Sequence, residues 1–289
     1  MKNAVTRFAP SPTGRLHLGH AYSALLAHRF ARERNGTFLL RIEDIDPGRA
    51  RPEHVDGILE DLGWLGLSFD GEIIYQSERL PIYARALERL KREGLAYPCF
   101  CTRSEIAAEV AASAAAPHGP DGPLYPGTCR AHSEEERALR MKSEPHAWRL
   151  DLAKAAARAG PLYWEDNGTE VQAEPERFGD VVLARKDAPV SYHLAVTVDD
   201  AAQEVTDVVR GRDLYAATDV HRLLQALLDL PTPHYHHHPL LTGADGRRLA
   251  KRHGAPTLAD LRASGVDPRK LADNLLAGRL PAGYSAAGA

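Results

Sequence analysis

Apolar and polar positions along the chain fall into short strand-like runs separated by amphipathic helical stretches. Residues 4–9 read as a short strand, 10–14 as a rigid loop, and 18–32 as a helix in which Leu18, Ala21, Leu25, Leu26 and Phe30 recur at near-helical spacing. Residues 37–42 form a second strand-like run, closed by the charged turn Glu43-Asp44-Ile45-Asp46-Pro47. Between 81 and 93 a proline opens a helix whose Ile82, Tyr83, Ala86, Leu87 and Leu90 make one apolar stripe, and Gly94 stops it. From about 97 to 189 the character changes to an Ala, Pro and Gly-rich stretch at 107–126, a charged helix near 133–142, and strand-like pieces at 147–152 and 181–185. Residues 191–198 then alternate Tyr192, Leu194, Val196 and Val198 onto one face, which predicts a strand. A helix follows at 218–229 with Leu223, Leu224, Leu227 and Leu228 inward. Strands and helices alternating on both sides of an insertion predict an α/β fold around a mostly parallel sheet, and no internal repeat is evident.

Composition narrows this only slightly. The 289 residues are 44% hydrophobic, enough for a large core, and carry a formal net charge of -3, so a polyanion partner would be met by local basic patches. No apolar run approaches the ~20 residues of a membrane span and no basic-then-apolar leader follows Met1, which predicts a cytoplasmic protein without membrane contact. The three cysteines all lie between 99 and 129, a clustering that points to metal rather than to a disulfide scaffold.

The strongest chemical signal is the pair His17 and His20 around Gly19 where the first strand passes into the first helix. At i, i+3 on the first turn the imidazoles face one way, with the positive end of the helix dipole behind them, so polyphosphate is the natural ligand, and Gly19 admits a flat ring close to the backbone. The acidic turn after residue 42 holds an ammonium group or is simply solvated. Arg7 and Arg210 are candidate fork-shaped cations for carboxylate groups. Residues 243–253, from Gly243 to His253, form a glycine-hinged cationic loop suited to closing over triphosphate.

The run Arg7-Phe8-Ala9-Pro10-Ser11-Pro12-Thr13-Gly14-Arg15-Leu16-His17-Leu18-Gly19-His20-Ala21 resembles the first signature of class I glutamyl-tRNA synthetases. Arg41-Ile42-Glu43-Asp44-Ile45-Asp46 resembles that family's Arg-Ile-Glu-Asp-Thr-Asp run, with Ile45 in place of threonine, and the segments around Tyr192 and Arg210 resemble its glutamate-binding stretches. Arg248 to Arg252 resembles a degenerate lysine-loop signature, with Lys251 at the second lysine and Ala250 where serine is usual. The resemblance implies a Rossmann-type class I synthetase catalytic domain: a first half at 1–95, an insertion with a zinc site at 96–189, a second half at 190–240, and a lysine-loop and helical C-terminal region at 241–289. It implies that Arg7, Ala9, Ser11, Glu43, Tyr192 and Arg210 bind L-glutamate. His17, Gly19, His20 and Lys251 would bind ATP with Mg2+, and His17, His20 and Lys251 would be catalytic.

By spacing alone Cys99, Cys101 and Cys129 are three ligands of a zinc site whose fourth is His118, Asp121, His132 or Tyr125; the resemblance to the short paralogues of the family selects Tyr125 and makes the zinc structural. His234, His236 and His238 face one side of a strand and His237 the other, so this run is read as separate structural histidines and not as a metal site. Little chain remains after the lysine loop and residues 282–289 read as a frayed tail, so no anticodon-binding domain is expected. That shortness resembles the paralogues that activate glutamate without tRNA and attach it to the queuosine base in the anticodon of tRNA(Asp), with no obligate protein partner. The alternatives are a truncated synthetase charging tRNA(Glu), a small-molecule nucleotidyltransferase, and a zinc-stabilised RNA-binding module without catalysis.

Overall fold

The computed structural model describes residues 3–112, 118–120, 122–243, 256–280 and 284–287. The first part runs β1 (Val5–Phe8), α1 (Leu18–Arg32), β2 (Thr37–Ile42), α2 (Pro52–Trp64), β3 (Ile74–Tyr75), α3 (Leu80–Arg92) and β4 (Ala96–Cys99). There follow α4 (Arg103–Ala112), β5 (His118–Gly119), β6 (Gly122–Pro123), α5 (Glu134–Met141), β7 (Ala147–Leu150), α6 (Leu152–Ala159), β8 (Tyr163–Asp166), β9 (Thr169–Gln172) and β10 (Val182–Ala184). The last part is α7 (Tyr192–Ala202), β11 (Asp207–Gly211), α8 (Ala217–Leu227), β12 (His234–His238), β13 (Leu240–Gly243), α9 (Leu258–Ala263), α10 (Pro268–Leu276) and β14 (Tyr284–Ala287).

Two parallel ladders meet at the centre. β1 pairs with β2 and β2 with β3, while β11 pairs with β12 and β12 with β8, all parallel. The ladders adjoin through the residue before β11: Thr206 N donates to Val5 O at 3.0 Å and Val5 N donates to Thr206 Oγ1 at 2.8 Å. The chain therefore leaves β1 toward one side of the layer and β11 toward the other. A crevice at the carboxyl ends of two such strands is where open parallel sheets take ligands, and Arg7 and Arg210 stand there.

One core packs α1 and β2 against α2, α9 and α10 through Leu18, Leu25, Phe38, Leu40, Ile58, Leu258 and Leu275. A second joins α3, α7 and α8 to the middle of the chain through Tyr83, Leu90, Leu150, Leu183, Leu194 and Leu224. Within the middle segment β10, β7 and β4 form an antiparallel sheet.

Two expectations are corrected. Residues 191–198 are not a strand: Ser191 caps α7, its side chain accepting from Leu194 N. Leu194 to Asp200 are all buried, so every second apolar residue is inward simply because every residue is. A helical stretch buried on all sides has no polar face to betray its period, and its valines and threonine mimic β composition. The tail is also not frayed over 284–287, which pair antiparallel with β13 from Leu240↔Ala287 to Gly243↔Tyr284. The partner strand, not any local pattern, supplies the order there.

Candidate active site and metal centre

Helix α1 begins with a reciprocal cap built from the two histidines. His17 Nδ1 accepts from Gly19 N at 3.1 Å, and His20 Nδ1 accepts from His17 N at 3.2 Å. An imidazole that accepts at Nδ1 carries its proton at Nε2, so the cap fixes both tautomers and makes each outer nitrogen a donor. The ring centroids lie 3.8 Å apart. A Cβ at Gly19 would come within 3.0 Å of the His17 ring, so a larger residue there would press on the cap.

A cavity of about 840 Å3 collects the expected residues: Arg7, Ala9, Ser11, His17, Gly19, His20, Glu43, Tyr192 and Arg210 all line it. Lys251 and the rest of 244–255, including Ala250, lie outside the described residues, as does Asp121. Of the acidic turn only Glu43 reaches the cavity. Asp44 is held by Ser77, and Asp46 by Arg49 and Arg185. Ile45, where the family resemblance has threonine, packs against the second core.

Behind the cavity wall lies a charge network that motif reading did not foresee. Arg7 makes a forked contact with Asp200, Nε to Oδ1 at 3.0 Å and Nη2 to Oδ2 at 3.3 Å. Arg41, fully buried, reaches Asp200 at 2.8 Å, Glu43 at 3.4 Å and Asp199 at 3.9 Å. Arg79 closes the set on Asp199 at 2.7 Å. Three arginines thus face three carboxylates, Glu43, Asp199 and Asp200. Burial opposes the Asp200 charge, but Arg7 and Arg41 overcome it and hold that carboxyl below its ordinary range. For Glu43 burial wins over Arg41 and Arg7, and its carboxyl is pushed up to about 7. The available signal was Arg41 inside the apolar run Phe38-Leu39-Leu40-Arg41-Ile42, because a cation in a central strand needs a buried partner.

Arg210 is equally buried and has no carboxylate within ion-pair range among the described residues. Its Nε donates to His237 Nε2 at 3.1 Å, its Nη1 to His221 Nδ1 at 3.3 Å, and its Nη2 to Thr218 Oγ1 at 2.7 Å and Leu214 O at 3.1 Å. Acceptor histidines must be neutral, and burial followed by the Arg210 charge lowers His237 to about 4 and His221 well below the usual imidazole range. His237 then donates from Nδ1 to Asp166 at 2.9 Å, and His221 from Nε2 to His193 Nδ1 at 3.2 Å. The other histidines of β12 have separate partners: His234 faces Glu165, His236 faces Asp207, and His238 faces the Pro239 carbonyl.

In the middle segment Cys99, Cys101 and Cys129 bring their sulfurs within 4.8 Å of one another. The Tyr125 hydroxyl lies 3.4 Å from Cys99 Sγ and 3.5 Å from Cys101 Sγ, and the Cys101 and Cys129 sulfurs are 3.4 Å apart. A tetrahedral site with zinc–sulfur bonds of about 2.3 Å has edges of roughly 3.8 Å, so the donor set fits a metal ion after small adjustment. Burial raises the Cys129 thiol, yet hydrogen bonds from Tyr125 and Phe100 N outweigh it and bring it to about 7. His132 is engaged elsewhere, by Glu136 and Arg140.

Crevice, histidine-capped helix and charge network together define the catalytic domain of a class I tRNA synthetase, and residues 3–280 match the family model described as tRNA synthetases class I (E and Q), catalytic domain. The chain is 50% identical over 272 residues to the glutamyl-Q tRNA(Asp) synthetase of Rhodobacter capsulatus, covering 91% of this chain and 96% of that protein. It is 46% identical to the protein of the same name from Deinococcus radiodurans, covering 95% and 88%. The glutamate tRNA ligase of Elizabethkingia meningosepticum, solved with its amino acid, superposes with a TM-score of 0.73 at 30% identity over 88% of this chain and 53% of its own. The match thus spans about half of that longer ligase. This chain belongs to the glutamyl-Q tRNA(Asp) synthetase family, tRNA-synthetase-like ligases of class I. Among the described residues no helix is long and apolar enough to cross a membrane.

Proposed function

We propose that this protein activates L-glutamate with Mg-ATP, without tRNA, and transfers it to the queuosine base at the anticodon wobble position of tRNA(Asp) in the cytoplasm. The observation that carries the first step is a single cavity lined both by the histidine-capped start of α1 and by the buried Arg210 guanidinium with no carboxylate partner among the described residues. A carboxylate brought to Arg210 gains a desolvated, forked ion pair. That contact suits the substrate's side-chain carboxylate, because the α-carboxylate must stay nucleophilic. Glu43 takes the ammonium, Arg7 adds a second cation, and Tyr192, Ala9 and Ser11 complete the wall.

In the reaction an α-carboxylate oxygen bonds to the α-phosphorus of ATP, the bond to the bridging oxygen breaks, and pyrophosphate leaves. The Nε2–H donors of His17 and His20 stabilise phosphate charge as it redistributes, and the helix dipole adds to them. Lys251 acts on the same charge from the loop. Magnesium bound with ATP would screen its phosphates. The acceptor hydroxyl then displaces AMP from the glutamyl carbonyl, a step for which alignment on an already activated mixed anhydride suffices. Cys99, Cys101, Cys129 and Tyr125 hold a structural zinc, since four protein ligands leave no open position.

The queuosine acceptor is supported by 50% identity to a glutamyl-Q tRNA(Asp) synthetase against 30% to glutamate tRNA ligases. Incubation with ATP, labelled glutamate and either queuosine-containing or unmodified tRNA(Asp) tests it. Label is expected only on the queuosine-containing tRNA and is lost when periodate cleaves the cyclopentenediol beforehand. Label on tRNA(Glu), or equal label on unmodified tRNA(Asp), would overturn the acceptor assignment.

A further inference from the structure

A second cavity, of about 420 Å3, adjoins the first and shares Tyr192, Asp213 and Leu214 with it. None of its lining comes from residues before 120, where His17, His20 and Glu43 lie; its other walls are Pro120, His193, Arg212, Tyr215, Ala216 and Ala217. Its size falls within the roughly 300–1,000 Å3 of small-molecule sites. Tyr215 is a fixed platform, its ring edge-on to Trp164 at 5.0 Å and to His237 at 5.1 Å. His193 accepts at Nδ1 from His221, so its ring proton is at Nε2, a donor on the cavity wall. Pro120 stands at the turn of the β5–β6 hairpin, in the stretch between Cys101 and Cys129, so a metal at the sulfur cluster would anchor both ends of that wall. The hairpin is pressed onto its neighbour, where a Cβ at Gly119 would lie 2.3 Å from Arg177 O.

Two tyrosine rings, small apolar walls, one imidazole donor and the charged residues Arg212 and Asp213 at the rim suit a flat heteroaromatic ring with polar substituents. We propose that this second cavity is the acceptor-base subsite, which takes the modified nucleobase of the tRNA and presents its hydroxyl to the glutamyl carbonyl past Tyr192 and Leu214. The proposal rests on the reaction argued above and locates its second half. The hydroxyl oxygen bonds to the carbonyl carbon, the bond from that carbon to the phosphate oxygen breaks, AMP leaves with the electron pair, and the hydroxyl proton passes to solvent. Activation and transfer then occupy separate but touching cavities, which fits activation proceeding before tRNA arrives.

Ala216→Trp, which fills the second cavity without touching the first, separates the two steps. Expected is a rise of at least about tenfold in KM for queuosine-containing tRNA(Asp), with glutamate-dependent pyrophosphate exchange unchanged. Free queuosine should compete with tRNA in transfer by the unsubstituted protein and leave exchange untouched. Removal of the sulfur-bound metal, with magnesium restored before assay, should likewise weaken transfer more than exchange. Unchanged transfer by an exchange-competent Ala216→Trp would overturn the subsite. Should that variant lose exchange as well, competition decides: no inhibition by millimolar queuosine, or inhibition by adenosine alone, overturns it. Absence of glutamate-dependent exchange in the unsubstituted protein would instead refute the activation step.

Discussion

Arg7 and Arg210 stand at the ends of adjoining strands, line the same cavity and are each 5% exposed, yet the protein compensates them in opposite ways. Arg7 is matched by Asp200 within a network of three arginines and three carboxyl groups. Arg210 is surrounded by neutral acceptors, so its charge is solvated but not cancelled. A buried ion pair adds little net stability, but removing one partner leaves a buried charge behind. The difference teaches that Arg7 belongs as much to the fold as to the site, while Arg210 reserves its charge for a ligand.

The largest effect should come from exchanging the two forks for ammonium groups. Arg210→Lys keeps the charge but loses the planar donors, and is expected to lower kcat/KM for glutamate about 100-fold in pyrophosphate exchange. Its melting temperature should move less than that of Arg7→Lys, which breaks the forked contact to Asp200 at a cost of about 2–3 kcal/mol. A larger thermal loss in Arg210→Lys than in Arg7→Lys, measured by calorimetry, would break the comparison.

Next in size is Glu43→Gln. With the Glu43 carboxyl pushed up to about 7 by burial, the ionised form that accepts an ammonium group builds up only as pH rises through neutrality. kcat/KM for glutamate should therefore climb between pH 6 and 8, and Glu43→Gln should lower it about tenfold or more at pH 8 and flatten the climb. Folding responds with the opposite sign. A carboxyl whose folded pKa is raised contributes stability fully below its unfolded value and loses it as pH rises through 7, so this group makes the empty protein melt lower at pH 8 than at pH 6. A pH profile of Glu43→Gln that matches the unsubstituted protein in both assays would remove Glu43 from the account.

Asp166→Ala sharpens the comparison at smaller scale. Asp166 touches no substrate in this account but fixes the His237 tautomer that accepts from Arg210. An increase of about five- to tenfold in KM for glutamate, with kcat less affected, is expected of a positioning residue. An equal fall in kcat with unchanged KM would point away from Arg210.

The contrast between the two arginines also marks what the sequence made legible. The histidine-capped helix could be read because amphipathic spacing and a loop ahead of it are local properties, and the cysteine cluster because its residues lie close along the chain. The partners of the arginines could not. Asp200 sits in a helix whose buried stretch from Leu194 to Asp200 erased its period, and Asp199 beside it is 0% exposed. His237 lies in a run of histidines whose different roles depend on which side of β12 each faces and on what packs there. Tyr125 emerged through family resemblance, since spacing alone left four candidates for its place. Pairing of 284–287 with β13 is a long-range contact that residues as plain as Ser285 and Ala286 do not announce.

The central claim, that Arg210 reserves its charge for the side-chain carboxylate of the substrate, is tested most directly by amino-acid-dependent pyrophosphate exchange without tRNA, comparing glutamate with glutamine. Glutamine has the same shape but lacks that charge, and it would leave Arg210 uncompensated. Exchange with glutamate exceeding that with glutamine by at least about 100-fold in kcat/KM is the result the account predicts. Comparable exchange with both amino acids would contradict it.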